Sequence, residues 1–196
     1  MLKKSLVVAS LLLIGSSLVA QDSGLYVGAT YGKSTVDTGI NTLTGTTSLD
    51  ETDRGYKVLV GYKYNKNISV EFQYVDFGKS TVSGDAGDSY KQKDGTTVTF
   101  ASNNTTYTFD GISYGLAGLY SFPVSENFIP YVKLGAHNWK TDWKTSTDTK
   151  HTGTDLFYGL GVDMPITSNI SARVEYENYE ADYDKSLLSV GIAYSF

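Results

Sequence analysis

Apolar and polar residues alternate along most of the chain, and this period of two predicts its elements. In ISVEFQY, residues 68–74, the four even-numbered positions are apolar or aromatic and the three positions between them are polar. Such alternation is typical of a β-strand with one apolar and one polar face. Eight runs follow this pattern, at residues 25–32, 55–64, 68–74, 111–122, 128–139, 156–164, 170–177 and 187–196. Because none of them shows a convincing helical period, the sequence predicts an all-β protein.

Short connections between the runs alternate with longer ones that are rich in Thr, Gly and Asp. The short connections are residues 65–67, 123–127 and 165–169, and the longer ones are residues 33–54, 78–110 and 140–154. A brief acidic connection at residues 181–184 precedes the last run. Short turns at one end and longer loops at the other are typical of an up-and-down antiparallel barrel.

The two faces of the runs distinguish two kinds of barrel. A soluble barrel encloses its apolar face, whereas a transmembrane barrel turns that face to lipid. Here the apolar face is bulky on every run, although an eight-stranded interior has room only for packed side chains. Aromatic residues also gather near the run ends, as at Tyr62, Tyr64 and Phe122, which is typical of the girdles at a membrane interface. We therefore expect an eight-stranded antiparallel up-and-down transmembrane β-barrel, with a soluble periplasmic ligand-binding barrel as an alternative.

Residues 1–20 have the features of a secretory signal peptide. A basic start, MLKK, precedes an apolar stretch too short to span a membrane, and the segment ends on the small residue Ala20. We expect cleavage near Ala20–Gln21 and a barrel domain over residues 21–196. Removal of Lys3 and Lys4 leaves 14 basic against 21 acidic residues, a net charge near −7. The mature chain is therefore expected to be exported and to bind no nucleic acid.

The polar face of the runs carries charges of both signs. Its charged residues are Lys57, Lys63, Glu71, Lys133, Asp163, Arg173, Glu175, Glu177 and Lys185. Because a lone buried charge is costly, an interior that side chains just fill favours paired charges. The near-balance of cations and anions predicts a charge network that plugs the barrel, and a small non-specific diffusion channel is the alternative.

Few residues offer catalytic chemistry. His137 and His151 are the two histidines, and we expect them at the barrel rim and in a loop. The chain has no cysteine, no GxSxG-type elbow and no metal-ligand spacing. Asp85, Asp88 and Asp94 do not match the spacing of a calcium-binding loop and are expected to be solvated. The sequence therefore predicts no enzyme, no cofactor and no bound metal.

Several segments, taken in order, resemble the OmpA-type eight-stranded outer-membrane barrel domain. They are LYVGATYG (25–32), GYKYNKNISVEFQY (61–74), YVKLG (131–135) and GLGVDMPITSNISARVEY (159–176), together with the final aromatic residue. The resemblance implies insertion in the outer membrane of a Gram-negative bacterium. It also implies that Tyr194 and Phe196 form a C-terminal signal for the barrel-assembly machinery. Many members carry a second, peptidoglycan-binding domain, which we do not expect for this chain.

The resemblance also implies a charge network inside the barrel, to which Glu71, Lys133, Asp163, Arg173 and Glu175 correspond. One position departs from the family pattern, since the fourth strand lacks the Lys that the family carries there. Its expected inward positions are Ser113, Gly115, Ala117, Leu119 and Ser121. The network must therefore close without a cation from this strand.

The expected role is structural or interactive. It comprises envelope integrity or surface contact through the extracellular loops of a monomeric barrel. Outer-membrane lipids and lipopolysaccharide are the expected neighbours, and the ligand of the loops is open.

Overall fold

The eight predicted runs form eight long strands in a computed structural model, which describes residues 23–144 and 149–196. The predicted signal peptide lies outside the described residues. In chain order the strands are β1 (Gly24–Val36), β2 (Ser48–Asp50), β3 (Thr52–Lys63), β4 (Ile68–Gly84), β5 (Ser89–Lys91), β6 (Thr97–Thr99), β7 (Thr105–Ser121), β8 (Ile129–Lys144), β9 (Thr149–Pro165), β10 (Ile170–Tyr179) and β11 (Lys185–Ser195). The three-residue strands β2, β5 and β6 lie in the long loops, and the other eight form the barrel.

Each barrel strand pairs antiparallel with its neighbour in the chain, and β11 pairs with β1 to close the sheet. At this seam Tyr26 lies opposite Ser195 and Val36 lies opposite Lys185. Closure removes every edge strand, so each strand of the barrel has a hydrogen-bonding partner on both sides. The prediction of an all-β, eight-stranded antiparallel up-and-down barrel is confirmed. Among the described residues, no helix is long and apolar enough to cross a membrane.

Several strands extend beyond the predicted runs. Strand β4 reaches Gly84 and β7 begins at Thr105, whereas the alternation had predicted residues 68–74 and 111–122. Beyond the apolar zone the outward residues become polar, so the alternation stops although the strand ladder continues as far as the Gly84–Thr105 pair. The longest loop is therefore much shorter than its sequence suggested.

The apolar face of the barrel points outward. Leu160 and Val190 expose 61% and 60% of their surface, whereas Lys57 and Glu71 on the opposite face are fully buried. An uninterrupted band of this kind is unsuited to water and suited to lipid. The soluble alternative is therefore wrong, because such a barrel would enclose its apolar residues.

The two ends of the barrel differ in structure. At one end, here called the turn end, short turns connect the strands. At the other, the loop end, β2 pairs with the last residues of β4, and β5 and β6 form a hairpin. A buried cluster holds these loops on the barrel, and its core residues are Val82, Tyr90, Phe100 and Phe109. We call this ordered set of loops the loop crown.

Candidate functional site

The barrel interior contains two successive layers of buried side chains. The layer nearer the turn end, here called the ion-pair layer, consists of Lys57, Glu71, Lys133, Asp163, Arg173, Glu175 and Glu177. The layer nearer the loop end, here called the aromatic layer, consists of Phe77, His137, Phe157, Tyr179 and Leu187. Period-two alternation on five of the eight barrel strands, β3, β4, β8, β9 and β10, directs the charged side chains inward, where they meet.

Two lysines and their carboxylates form the upper part of the ion-pair layer. The Lys133 ammonium lies 2.8 Å from Glu71, 2.7 Å from Glu175 and 2.9 Å from Glu177. The Lys57 ammonium contacts the other oxygens of Glu175 and Glu177, at 2.5 and 2.6 Å. Because each lysine contacts several carboxylates, the removal of one partner changes the pairing of the others.

Arg173 organises the lower part of the same layer. Its Nε and Nη2 donate two parallel hydrogen bonds to Asp163, at 2.7 and 2.8 Å, and its Nη1 donates to Glu71. The guanidinium also lies 5.7 Å from the ring centre of Tyr26 and 5.2 Å from that of Tyr131. Bidentate pairing and aromatic stacking are specific to arginine, so a lysine at this position could not replace it.

Lys63 lies outside the ion-pair layer, which corrects the sequence prediction. Its side chain is half-buried, and its ammonium lies 5.5 Å from the ring centre of Tyr26. It forms no ion pair with any residue of the described part of the chain. The reason is its place as the last residue of β3, at the turn end, below the level of the carboxylates.

Strand β7 contributes no charge to the network, as its sequence indicated. Ser113, Gly115, Ala117 and Leu119 face inward, and Ala117 lies directly opposite Glu71 in the sheet. The cations come instead from β3, β8 and β10. The ion-pair layer therefore closes around a strand of small inward residues.

The aromatic layer was missed by the sequence analysis. The Phe157 and Tyr179 rings stack 5.1 Å apart, and the Phe77 ring meets Tyr179 edge-on at 4.9 Å. Small inward residues make room for these rings, since a Cβ at Gly115 would lie only 2.8 Å from Phe157. The available signal was a pair of inward glycines, Gly115 and Gly135, on the strands that face Phe157.

His137 belongs to this layer, and its predicted place at the rim is wrong. The side chain is 2% exposed, with Nδ1 2.8 Å from the Ser113 hydroxyl and Nε2 2.8 Å from the Glu180 carbonyl oxygen. Since a carbonyl only accepts, Nε2 carries the proton, and a neutral ring then accepts at Nδ1 from Ser113. Both ring nitrogens are therefore engaged in hydrogen bonds within the barrel. His151 lies on β9 near the loop end, half-buried, with its ring 5.0 Å from that of Trp143.

Lys185 lies above the aromatic layer, apart from the other interior cations. Its ammonium donates to Thr141 Oγ1 at 3.3 Å and to the Tyr183 carbonyl oxygen at 3.2 Å. It also lies 5.9 Å from the ring centre of Phe77 and 5.5 Å from that of Trp139. The predicted interior cations thus lie at three levels, with Lys63 at the turn end, three cations in the ion-pair layer and Lys185 above the aromatic layer.

The acidic residues of the loop crown bind backbone and hydroxyl groups. Asp88 accepts from the Thr46 amide and hydroxyl at 2.9 and 2.6 Å, and these hydrogen bonds lower the pKa of its carboxyl group. Asp85 accepts from the Asn104 amide, and Asp94 accepts from the amide of Thr96. Within residues 23–144 and 149–196, no group of three or more His, Cys, Asp or Glu side chains is arranged to hold a metal ion. Asp85 and Asp88 connect the loops to one another.

Comparisons with known proteins agree with this architecture. The chain is 30% identical over 217 residues to outer membrane protein A of Yersinia pseudotuberculosis serotype I (strain IP32953). The alignment covers all of this chain but only 56% of the length of that relative. Its fold is similar to that of Ail from Yersinia pestis, solved with the heparin analogue sucrose octasulfate (18% identity, 90% and 100% of the two chains, TM-score 0.57). The N-terminal β-barrel domain of OprF from Pseudomonas aeruginosa is similar too (15% identity, 90% and 98% of the two chains, TM-score 0.57).

All three similar proteins come from Gram-negative bacteria; the Yersinia pseudotuberculosis relative is an outer membrane protein, and the OprF neighbour is a β-barrel domain. Residues 5–196 match the family described as the outer membrane protein beta-barrel domain. Since this match covers nearly the whole sequence, the chain belongs to the outer membrane protein beta-barrel domain family, with an OmpA-type barrel.

Proposed function

We propose that this protein is a closed, monomeric barrel of the Gram-negative outer membrane. It acts through the loop crown, in envelope integrity or in contact with other surfaces, and not by passing solutes through its interior. The observation that carries this proposal is the filled interior. The ion-pair layer and the aromatic layer follow each other across the lumen, and every member of both is buried.

Export and assembly complete the proposal. Residues 1–20 direct secretion as a cleaved signal peptide, and Tyr194 with Phe196 forms the signal that the barrel-assembly machinery reads. Two contacts support the second point. The Phe196 amide donates to the Leu25 carbonyl oxygen at 3.0 Å, and the rings of Tyr194 and Phe196 lie 5.1 Å apart, edge to face. Both rings expose about two-fifths of their surface on the outer face of the barrel seam.

The loop crown supports a surface role because its loops are built as ordered structure. Loop residues Thr44 and Thr46 hydrogen-bond across to Ser89 and Asp88 of the next loop, so the two longest loops form one surface. Binding residues are commonly carried on loops that a rigid scaffold positions. Ail was solved with the heparin analogue sucrose octasulfate, but at 18% identity its likeness to this chain extends to the fold alone.

Planar-bilayer conductance tests the closed interior. Purified, folded protein is added to a bilayer of diphytanoyl phosphatidylcholine in 1 M KCl, with a known general porin as the positive control. We expect no steady conductance above the bare bilayer. Reproducible steps that scale with the amount of folded protein would overturn the proposal and favour the small diffusion channel.

A further inference from the structure

Three basic side chains lie side by side on the outer surface of the barrel at its loop end. They are Lys33 of β1, Arg54 of β3 and Lys79 of β4, and we call them the basic ridge. Lys33 and Arg54 are direct partners across the β1–β3 ladder. The amide of Lys79 donates to Asp53 at 2.8 Å, which places Lys79 beside the same part of β3. All three side chains are exposed.

A bulge in β4 brings Lys79 to this surface. The pairing of β4 with β7 shifts between Asp76 and Lys79, and Gly78 there has a φ of +71°. A Cβ at Gly78 would lie 2.5 Å from Asp53 Oδ2, so the position also has no room for a side chain. The bulge turns Lys79 outward while Ser80 points into the barrel.

The basic ridge lies immediately beyond a row of outward tyrosines. Tyr31, Tyr56, Tyr74 and Tyr114 occupy adjacent strands, with ring centres 6.2 Å apart for Tyr56 and Tyr74 and 5.2 Å for Tyr74 and Tyr114. The Arg54 guanidinium lies 5.9 Å from the ring centre of Tyr31. Outward tyrosines at a strand end mark the level of the lipid headgroups. The ridge is therefore at the height of the headgroup phosphates.

The described part of the protein does not neutralise the charges of the ridge. Like charges placed directly opposite each other on neighbouring strands are destabilising, and Lys33 and Arg54 are such a pair. Neighbouring carboxylates have other partners: Asp53 accepts from the amides of Arg54 and Lys79, and Asp76 accepts from that of Gly78. Asp110, directly opposite Lys79 in the sheet, pairs with Lys144. None of the three cations forms an ion pair with a residue that the structure describes.

The neighbouring strands β7 and β8 show a different arrangement at a similar level. There Lys144 pairs with Asp110 at 2.8 Å, and Lys140 pairs with Asp142 at 3.1 Å. The chain as a whole has a formal net charge of −5, so the unpaired cations of the ridge are a local feature. No described residue supplies their counter-charge, so we expect an anion from the surroundings to do so.

We propose that the basic ridge binds the phosphate groups of lipopolysaccharide in the outer leaflet, which is the anion present at this height. Arg54 supplies a planar fork that matches a phosphate group, and Lys33 and Lys79 supply point charges on either side of it. This rests on the proposed membrane location, and it is independent of what the loop crown binds.

Binding of diphosphoryl lipid A to the full-length folded protein tests the ridge. The protein is held in a zwitterionic detergent without divalent cations, and bound lipid is counted by native mass spectrometry. Each basic residue near an anionic surface contributes about fivefold in affinity, so the triple variant K33Q/R54Q/K79Q should bind about 100-fold more weakly. The single variant Arg54→Gln should lose about fivefold. Heat-modifiability on a gel shows that each variant has folded.

Lys140→Gln is the matched control, since it removes a cation of β8 that is already paired with Asp142, and the affinity of this variant should stay within about twofold. Fully dephosphorylated lipid A should bind the wild type about as weakly as diphosphoryl lipid A binds the triple variant. Wild-type affinity in the triple variant, or equal binding of the two lipids, would overturn the proposal. Displacement of the lipid by an equal concentration of inorganic phosphate would also overturn it, because the ridge would then be a site for soluble anions. The lipid-binding experiment does not measure conductance, so a failure of the ridge proposal would leave the proposal of a closed barrel unaffected.

Discussion

The ion-pair layer and the aromatic layer lie one above the other in the same lumen, yet they depend on different physical terms. In the ion-pair layer each side chain needs specific partners, because an unpaired charge in a dry interior is very unfavourable. In the aromatic layer the side chains need to fill a volume, and shape matters more than identity. Gln73 joins the two layers, donating to the Tyr179 hydroxyl at 2.7 Å and accepting from Lys133 at 3.3 Å.

This difference means that the two layers should respond differently to apolar replacement. An apolar side chain of matching volume can restore an aromatic site. It cannot restore an ion-pair site, where the partner carboxylates remain charged. Variants that compare truncation with apolar replacement therefore distinguish the layers.

Arg173→Ala is expected to have the largest effect. It leaves Asp163 and Glu71 without their guanidinium partner in a buried site, which costs about 3–5 kcal/mol of unfolding free energy. Arg173→Met should be as destabilised as Arg173→Ala, since methionine supplies volume without charge. Urea unfolding in lipid vesicles, followed by heat-modifiability, measures both. Lys63→Ala is the control and should change stability by less than about 0.5 kcal/mol. A stable Arg173→Met variant would contradict this account of the layer.

Phe157→Ala is expected to come next. The ring is fully buried and touches Tyr179 and His137, so its removal leaves a cavity and costs about 3 kcal/mol. Phe157→Leu should recover more than half of this loss in the same unfolding assay. If Phe157→Leu were no better than Phe157→Ala, the layer would depend on ring contacts and not on volume.

Gly115→Ala is expected to have the smallest of these effects. The added methyl group would lie 2.8 Å from Phe157 and 3.3 Å from His137 Cβ, and such overpacking costs about 1–2 kcal/mol. Gly118→Ala on the same strand is the matched control, because a Cβ there has nothing within 4 Å. In the double variant with Phe157→Leu, the cost of Gly115→Ala should largely disappear. Equal effects at positions 115 and 118 would show that strand propensity, and not the ring, causes the loss.

The sequence could predict the barrel because its main signal is local. Alternation with a period of two assigns each residue to a face, and the charges of the polar face then follow. Phe157 was missed because it is a large apolar residue on the polar face, between Leu156 and Tyr158. Phe77 and Tyr179 lie just beyond the predicted runs 68–74 and 170–177.

The remaining differences depend on register and depth, which a single sequence does not contain. Lys63 has the same parity as Lys57, so alternation places both inside, but only the pairing of β3 shows that Lys63 is at the strand end. The basic ridge was not recognised either. Lys33 and Arg54 lie 21 positions apart in the sequence, and Lys79 reaches them only through the bulge at Gly78.

The seam between β1 and β11 has a consequence for how the molecule folds. Tyr26 and Ser195 are 169 positions apart, and bringing such distant segments together costs about 4–5 kcal/mol of chain entropy. That cost is met before any of the eleven register pairs of the seam can form. Forms in which only part of the seam is paired therefore recover little of this entropy cost, and we expect closure of the barrel to be an all-or-none step. Contacts of such long sequence separation are slow to form, so we expect the pairing of the first and last strands to be a late step in the assembly of this protein.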